Sequence, residues 1–273
     1  MPLSPQPFSG WAQKVHGVCF ALFLIQFAFD WVRMWLPLPR LSQAQWPDGL
    51  LLVLATATTL ASLSRQLPGQ NVALAAFIIA FIAGAAQSLG AVTGMPFGPY
   101  RYDYDHIGQQ LFYPLPGAVP LIWMVTILNC RGVARLMLRP WRQKPNYGFW
   151  LIGLSVVLTV LFDLAFEPFA TQIKHYWTWK QTRIPVDWYS TPLTNFLGWG
   201  VTALLILAFV TPSLINKKPV KPPPPQYHPL IVWLLLQLLF LTGATIHHFW
   251  AAAGLILGLS LVVAFLAVRA ARR

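Results

Sequence analysis

Apolar residues run through this chain in long blocks broken by short polar stretches, without the strict two-residue alternation of half-buried strands. A helix of about 20 apolar residues spans the hydrocarbon core of a bilayer. On that template eight segments stand out: 13–36, 48–64, 71–93, 118–138, 147–168, 193–212, 229–247 and 251–269. Only His248, Phe249 and Trp250 separate the last two, so a re-entrant hairpin, with seven spans, is the alternative count. The pattern predicts an all-α fold, a polytopic transmembrane bundle of about eight helices. Lys221 opens a proline run, Pro222 to Pro225, which forms a stiff polyproline connection. It divides the chain into a six-helix membrane body (1–216), a proline-rich cytoplasmic linker (217–228) and a C-terminal two-helix hairpin (229–273).

Composition agrees. The 273 residues are 56% hydrophobic and only 10% charged, where soluble domains carry about 25% charged residues. A net charge of +12 would suit nucleic acid, but that requires a basic face with readable motifs, and here the basic residues sit between apolar runs. Placing the N-terminus in the cytoplasm puts most of the 19 lysines and arginines on that side, as topology favours. Both termini are then cytoplasmic, and an inner or plasma membrane location is expected. The first apolar run is long and no small-residue cleavage site follows it, so no cleavable signal peptide is expected. The same assignment sends all seven acids, Asp30, Asp48, Asp103, Asp105, Asp163, Glu167 and Asp187, to the opposite side. Cys19 and Cys130 lie in apolar segments and form no disulfide or metal pattern.

The candidate chemistry concentrates between Asp163 and Trp199. After an uncharged run from Trp150 to Phe162 come Asp163 and Glu167, four residues apart and therefore on one helix face. Carboxylates in a membrane helix are costly and mark cavities, partners or ion paths. Pro168 is expected to end or kink the helix beside them. Aromatic residues follow densely: Tyr176, Trp177, Trp179, Trp188, Tyr189, Phe196 and Trp199. The competing structural role for the acids is a helix-end network with Lys174 or Arg183; for the aromatics it is an interfacial belt. Asn195 binds water or caps its helix. Of six histidines only His247 and His248 are close, and adjacent helical residues do not share a face, so no histidine metal centre is expected.

Four blocks, Asp163-Leu-Ala-Phe-Glu-Pro168, Trp177-Thr-Trp179, Pro192-Leu-Thr-Asn-Phe-Leu-Gly-Trp199 and Gly94-Met-Pro-Phe-Gly-Pro-Tyr-Arg-Tyr102, occur here in order. Together they resemble the integral-membrane carotenoid biosynthesis family that includes the γ-carotene and bisanhydrobacterioruberin hydratases, over roughly residues 70 to 210. The resemblance implies a long polyene substrate drawn from the membrane lipid, and addition of water across a terminal double bond of an acyclic end group. Such an enzyme needs a proton donor, a place for a tertiary carbocation and a held water, but no cofactor, metal or nucleic acid. Association with other carotenoid pathway enzymes is an accompanying expectation.

Residue by residue, the resemblance and the burial argument together assign Asp163 as proton donor and Glu167 as holder of the water, or the two roles reversed, with Asp103 completing the relay. Tyr100, Tyr102, Trp177, Trp179, Asn195 and Trp199 are assigned to substrate binding, their aromatic faces suited to a developing cation. The alternatives are a membrane prenyltransferase, reading Asp163 and Glu167 as half of an acidic metal-diphosphate motif, or a carotenoid cyclase-type enzyme. A proton-coupled transporter of lipids or small molecules is a third.

Overall fold

The structure is a computed structural model that describes residues 8–36, 46–180, 186–214 and 224–272. Arg40, Arg183 and most of the proline-rich linker lie outside the described residues. Eight long helices form: α1 (Phe8–Trp35), α2 (Trp46–Ser64), α3 (Gly69–Thr93), α4 (Ala118–Met137), α5 (Tyr147–Pro168), α6 (Leu193–Val210), α7 (His228–Ile246) and α8 (Trp250–Ala271). Among the described residues seven helices are long and apolar enough to cross a membrane, whereas the apolar part of α2, Asp48–Ser64, is shorter. The chain is an all-α polytopic bundle and an integral membrane protein. The eight segments expected from hydropathy are thus the eight long helices, and a bilayer solvent accounts for the length of the seven that can span it.

α4 is the hub. It packs against α2, α3, α5, α7 and α8, and its Trp123, Ile127, Cys130, Val133 and Ala134 are almost or fully inaccessible. Outward faces of the surrounding helices carry Phe77, Phe81, Val201, Phe209, Leu261 and Phe265, all exposed, as a lipid-facing surface requires. The last two helices pack onto α4 and α5, burying Trp233 and Gln237 completely or nearly so.

Non-helical structure gathers at one end of the bundle. The segment after α3 forms β1 (Tyr100–Tyr102), a single helical turn at Tyr104–Ile107, and a small pair of strands, β2 (Gln110–Phe112) and β3 (Leu115–Pro116). The segment between α5 and α6 forms β4 (Trp177–Trp179), β5 (Asp187–Trp188) and β6 (Thr191–Pro192). β1 and β4 pair antiparallel, with Tyr100 opposite Trp179 and Tyr102 opposite Trp177. Side chains two apart in a strand share a face, so this one pairing turns four aromatic rings toward the bundle. β5 and β6 form a tight hairpin through Tyr189 and Ser190, whose φ angles are 50° and 69°. Two consecutive positive φ values match the twist of a two-residue hairpin.

Phe97 anchors the post-α3 loop. Its ring is fully buried between α3 and α6, where a Cβ on Gly90 would stand 2.7 Å from the ring and one on Gly198 would meet the ring and the Pro96 and Phe97 backbone at 2.7–3.0 Å. These two glycines let the loop close over the helix ends.

Candidate active site

Asp163 and Glu167 lie on the last two turns of α5 and are 0% and 1% exposed. The proline after them was expected to end or kink the helix. The α-helix does end at Pro168, and the chain runs on into a π-helical turn, Phe169–Ile173. The physical reason lies across the site: Pro168 has no N–H to give the Leu164 carbonyl, and the Trp188 indole donates to that carbonyl at 2.9 Å. The π turn then positions Thr171 to donate to the Glu167 carbonyl at 2.8 Å. π turns of this kind frequently accompany functional sites.

Neutral donors converge on Glu167. Its Oε2 accepts from Trp179 Nε1 at 3.1 Å, Trp177 Nε1 at 3.3 Å and Thr191 Oγ1 at 3.0 Å. Its Oε1 accepts from Asn195 Nδ2 at 3.1 Å, and the same nitrogen donates to Asp163 Oδ2 at 2.8 Å. One amide therefore bridges the two carboxyl groups. Asn195 is the third residue of α6, whose N-cap is Pro192, so its side chain serves the carboxyls and not the helix end. Asp163 Oδ1 is buried and has no hydrogen-bond partner.

A cavity of about 30 Å³ opens beside Glu167, walled by Tyr100, Tyr102, Trp123, Trp177, Trp179 and Trp199. Trp123 and Trp199 stack at 4.0 Å between centroids, and Tyr100 packs on Trp179 at 5.1 Å. Gln87 of α3 fixes the tyrosines: its Oε1 accepts from Tyr100 at 2.8 Å and from Tyr102 at 2.9 Å. Burial pushes both phenols above their ordinary range, so they remain donors at neutral pH. Sequence reasoning missed Gln87 and Thr191, and named Trp188 only among the aromatics that could form an interfacial belt. A glutamine in the apolar run of α3 was the one available signal for the first.

The predicted site residues thus divide. Glu167, Tyr100, Tyr102, Trp177, Trp179, Asn195 and Trp199 line this cavity, and Asp163 joins them from behind through Asn195. Asp103 is turned elsewhere: its carboxylate caps the Asp105 N–H at 3.0 Å and pairs with His106 at 2.9 Å, both side chains being substantially exposed.

The anticipated competitor for the acids, Lys174, is engaged by another carboxylate. Lys174 Nζ contacts both Asp48 oxygens at 2.8 and 2.9 Å, Arg33 pairs with Asp48, and Tyr176 donates to Asp48 at 3.0 Å. Arg33 also pairs with Asp30 at 2.8 Å. This ionic cluster borders one end of a larger cavity, about 390 Å³, whose walls are mostly apolar: Leu51, Ala55, Val125, Phe162, Phe166 and Phe240 among them. Ile122 lines both cavities. Phe166, on the large one, packs edge-on against Trp177, on the small one, at 5.8 Å.

The fold and site define an integral-membrane helix bundle that buries two carboxyl groups among neutral donors beside an aromatic-walled cavity. Residues 48–265 match the family model of the carotenoid biosynthesis proteins; the chain belongs to that family and its role is in carotenoid biosynthesis. No curated protein and no solved structure matches it. The family match runs beyond the four sequence blocks and takes in α2, α7 and most of α8.

Proposed function

We propose that the protein hydrates the terminal double bond of an acyclic carotenoid end group, using the Asp163–Glu167 pair as its acid and base. The observation that carries this reading is a carboxyl pair with neutral hydrogen-bond partners, and no cation among the described residues, set against an aromatic-walled cavity. Two carboxyl groups this close share protons as a unit. Glu167 forms part of the cavity wall and Asp163 sits behind it, so Glu167 exchanges the proton with substrate and water while Asp163 serves as its reservoir.

In this mechanism the pair delivers one proton to the less substituted carbon of the double bond, and the π electrons form the new C–H bond. The tertiary cation left behind lies among the faces of Tyr100, Trp177 and Trp179, each worth about 0.5–2 kcal/mol to a desolvated cation. A cavity of about 30 Å³ exceeds the roughly 10–15 Å³ that one water needs. That water bonds to the cation and returns its proton to Glu167, so acid and base are regenerated. The large apolar chamber suits the polyene body, with its end group passing the Phe166–Trp177 contact.

The reading is tested by expressing the chain in a carotenoid-free host that accumulates lycopene or γ-carotene and weighing the extracted pigments. The expected result is a product heavier by one water with an unchanged visible spectrum. A product of unchanged mass but altered mobility would assign a cyclase to the same acid. Unaltered pigments from well-expressed protein, with a C50 precursor tried as well, would reject the enzyme reading.

A further inference from the structure

Far from the carboxyl pair, at the end of the bundle that holds no acid among the described residues, Arg131 of α4 is only 5% exposed. Its Nε is buried with no hydrogen-bond partner. Removing a guanidinium from water costs several kcal/mol unless an opposite charge or a set of acceptors compensates it. The seven acids of the chain are all placed at the other end, in the helix ends and strands around Asp48, Glu167 and Asp187. Nothing of opposite charge in the described residues answers Arg131.

Arg131 lines a cavity of about 80 Å³ that Arg135 and Arg139 line with it. The other walls include Asn129, Gln66 and His228. Asn129 donates to Thr59 at 3.0 Å and to the Val125 carbonyl at 2.8 Å, and Arg135 reaches Gln66 at 3.5 Å. The cavity is closed from the side by the start of α7. A Cβ on Gly132 would stand 2.4 Å from Pro229, so the glycine beside Arg131 is what lets α7 approach. Three like charges around one small cavity repel one another, and a buried guanidinium whose Nε has no partner raises that cost. Planar guanidinium forks match phosphate oxygens two at a time. The place also fits: α4 ends at Met137 and α7 begins at His228, at the level where lipid headgroups meet a spanning helix. Basic pockets between helix ends are where acidic headgroups bind.

We propose that this cavity binds the phosphate group of an anionic ligand, with Arg131 as its buried contact and Arg135 and Arg139 at its rim. The site stands apart from the carboxyl pair, and its test does not depend on the hydration reading. Two sources supply such a group, a phospholipid headgroup and a soluble phosphate or diphosphate.

The full chain and its Arg131→Gln and Arg135→Gln variants are reconstituted in phosphatidylcholine nanodiscs, and thermal unfolding is followed in two arms. One arm mixes phosphatidylglycerol into the bilayer; the other adds inorganic phosphate or diphosphate against sodium chloride of equal ionic strength. The expected result is that one arm stabilises the unmutated chain, with apparent affinity weakened about tenfold or more in each variant, the loss of one charged hydrogen bond. A response to phosphatidylglycerol alone identifies a lipid headgroup; a response to phosphate or diphosphate alone identifies a soluble ligand. If neither arm stabilises the protein, or both variants respond as the unmutated chain does, the proposal falls. Arg135, half-buried at the rim, keeps the test decisive should Arg131→Gln fail to fold.

Discussion

Two acid clusters stand at the same end of the bundle, and their partners differ in kind. Asp48 is held by Arg33, Lys174 and Tyr176, so two cations meet it and Arg33 also answers Asp30. Glu167 is held by two indoles, a hydroxyl and an amide, none of which carries charge. Cations neutralise an acid and fix it as structure; neutral donors orient it and leave its charge to be answered by a proton. The Asp48 cluster ties α1 and α2 to the π turn after α5. The Glu167 cluster is oriented as firmly, but by partners that carry no charge.

The largest effect that separates the two comes from Glu167→Gln and Asp163→Asn. Each keeps shape and most hydrogen bonds while removing acid–base capacity, which is worth about 10²–10⁴-fold in rate. Pigment extracts should show that loss of hydrated product at unchanged protein level. Full product from Glu167→Gln would make the pair structural after all and erase the contrast with Asp48.

Asp48→Asn should do the reverse. It takes the anion from Lys174 in a partly buried place and leaves Arg33 with Asp30, and losing a charged hydrogen-bond partner costs about 1–3 kcal/mol. Thermal unfolding in detergent should show the destabilisation, while product formed per folded molecule holds. A collapse of turnover with intact folding would instead bring the ionic cluster into the catalytic machinery, as its position on the large chamber allows.

Much of this was open to reading from the chain alone, and the division has physical causes. The helices were legible because a bilayer demands about 20 apolar residues from each span. The carboxyl pair was legible because a spacing of four defines one face. What was not legible is who answers each charge. Tyr100-Arg101-Tyr102 and Trp177-Thr178-Trp179 pair as strands of three residues, too short to leave a period, so the box they form around Glu167 has no local signal. Lys174, the basic residue nearest the acids in sequence, turns to Asp48 on α2. Arg131 was counted only as a topological charge, since a basic residue near a helix end ordinarily extends its head to water; its burial depends on Gly132 and the approach of α7.

A smaller effect tests how the neutral donors act. Trp179→Phe keeps an aromatic face beside Tyr100 but withdraws one of the three donors to Glu167 Oε2, a loss of about 1 kcal/mol. Product formation should fall about fivefold, the rate equivalent of that energy, and stability should change little. Trp179→Leu, which also removes the ring, should fall further if the cation is met by the aromatic face. Equal activities for the two variants would assign Trp179 to hydrogen bonding alone.

Asp103 is where the smallest effect is expected, and it separates position in a sequence block from position in the site. The block Gly94–Tyr102 ends beside it, and β1 carries Tyr100 and Tyr102 into the cavity wall. One residue further, the chain turns: Asp103 receives the Asp105 N–H and pairs with His106, while its own N–H donates to the Tyr176 carbonyl at 2.9 Å. The carboxylate therefore closes a surface turn, and the backbone does the joining to the π-turn segment. Asp103→Asn retains an N-capping side chain and that backbone bond, so pigment conversion should match the unmutated chain, with stability lowered by at most about 1 kcal/mol for an exposed ion pair. A loss of conversion comparable with that of Glu167→Gln would show that the proton path runs outward past Asp103, and the Asp163–Glu167 pair would then be the inner half of a longer relay.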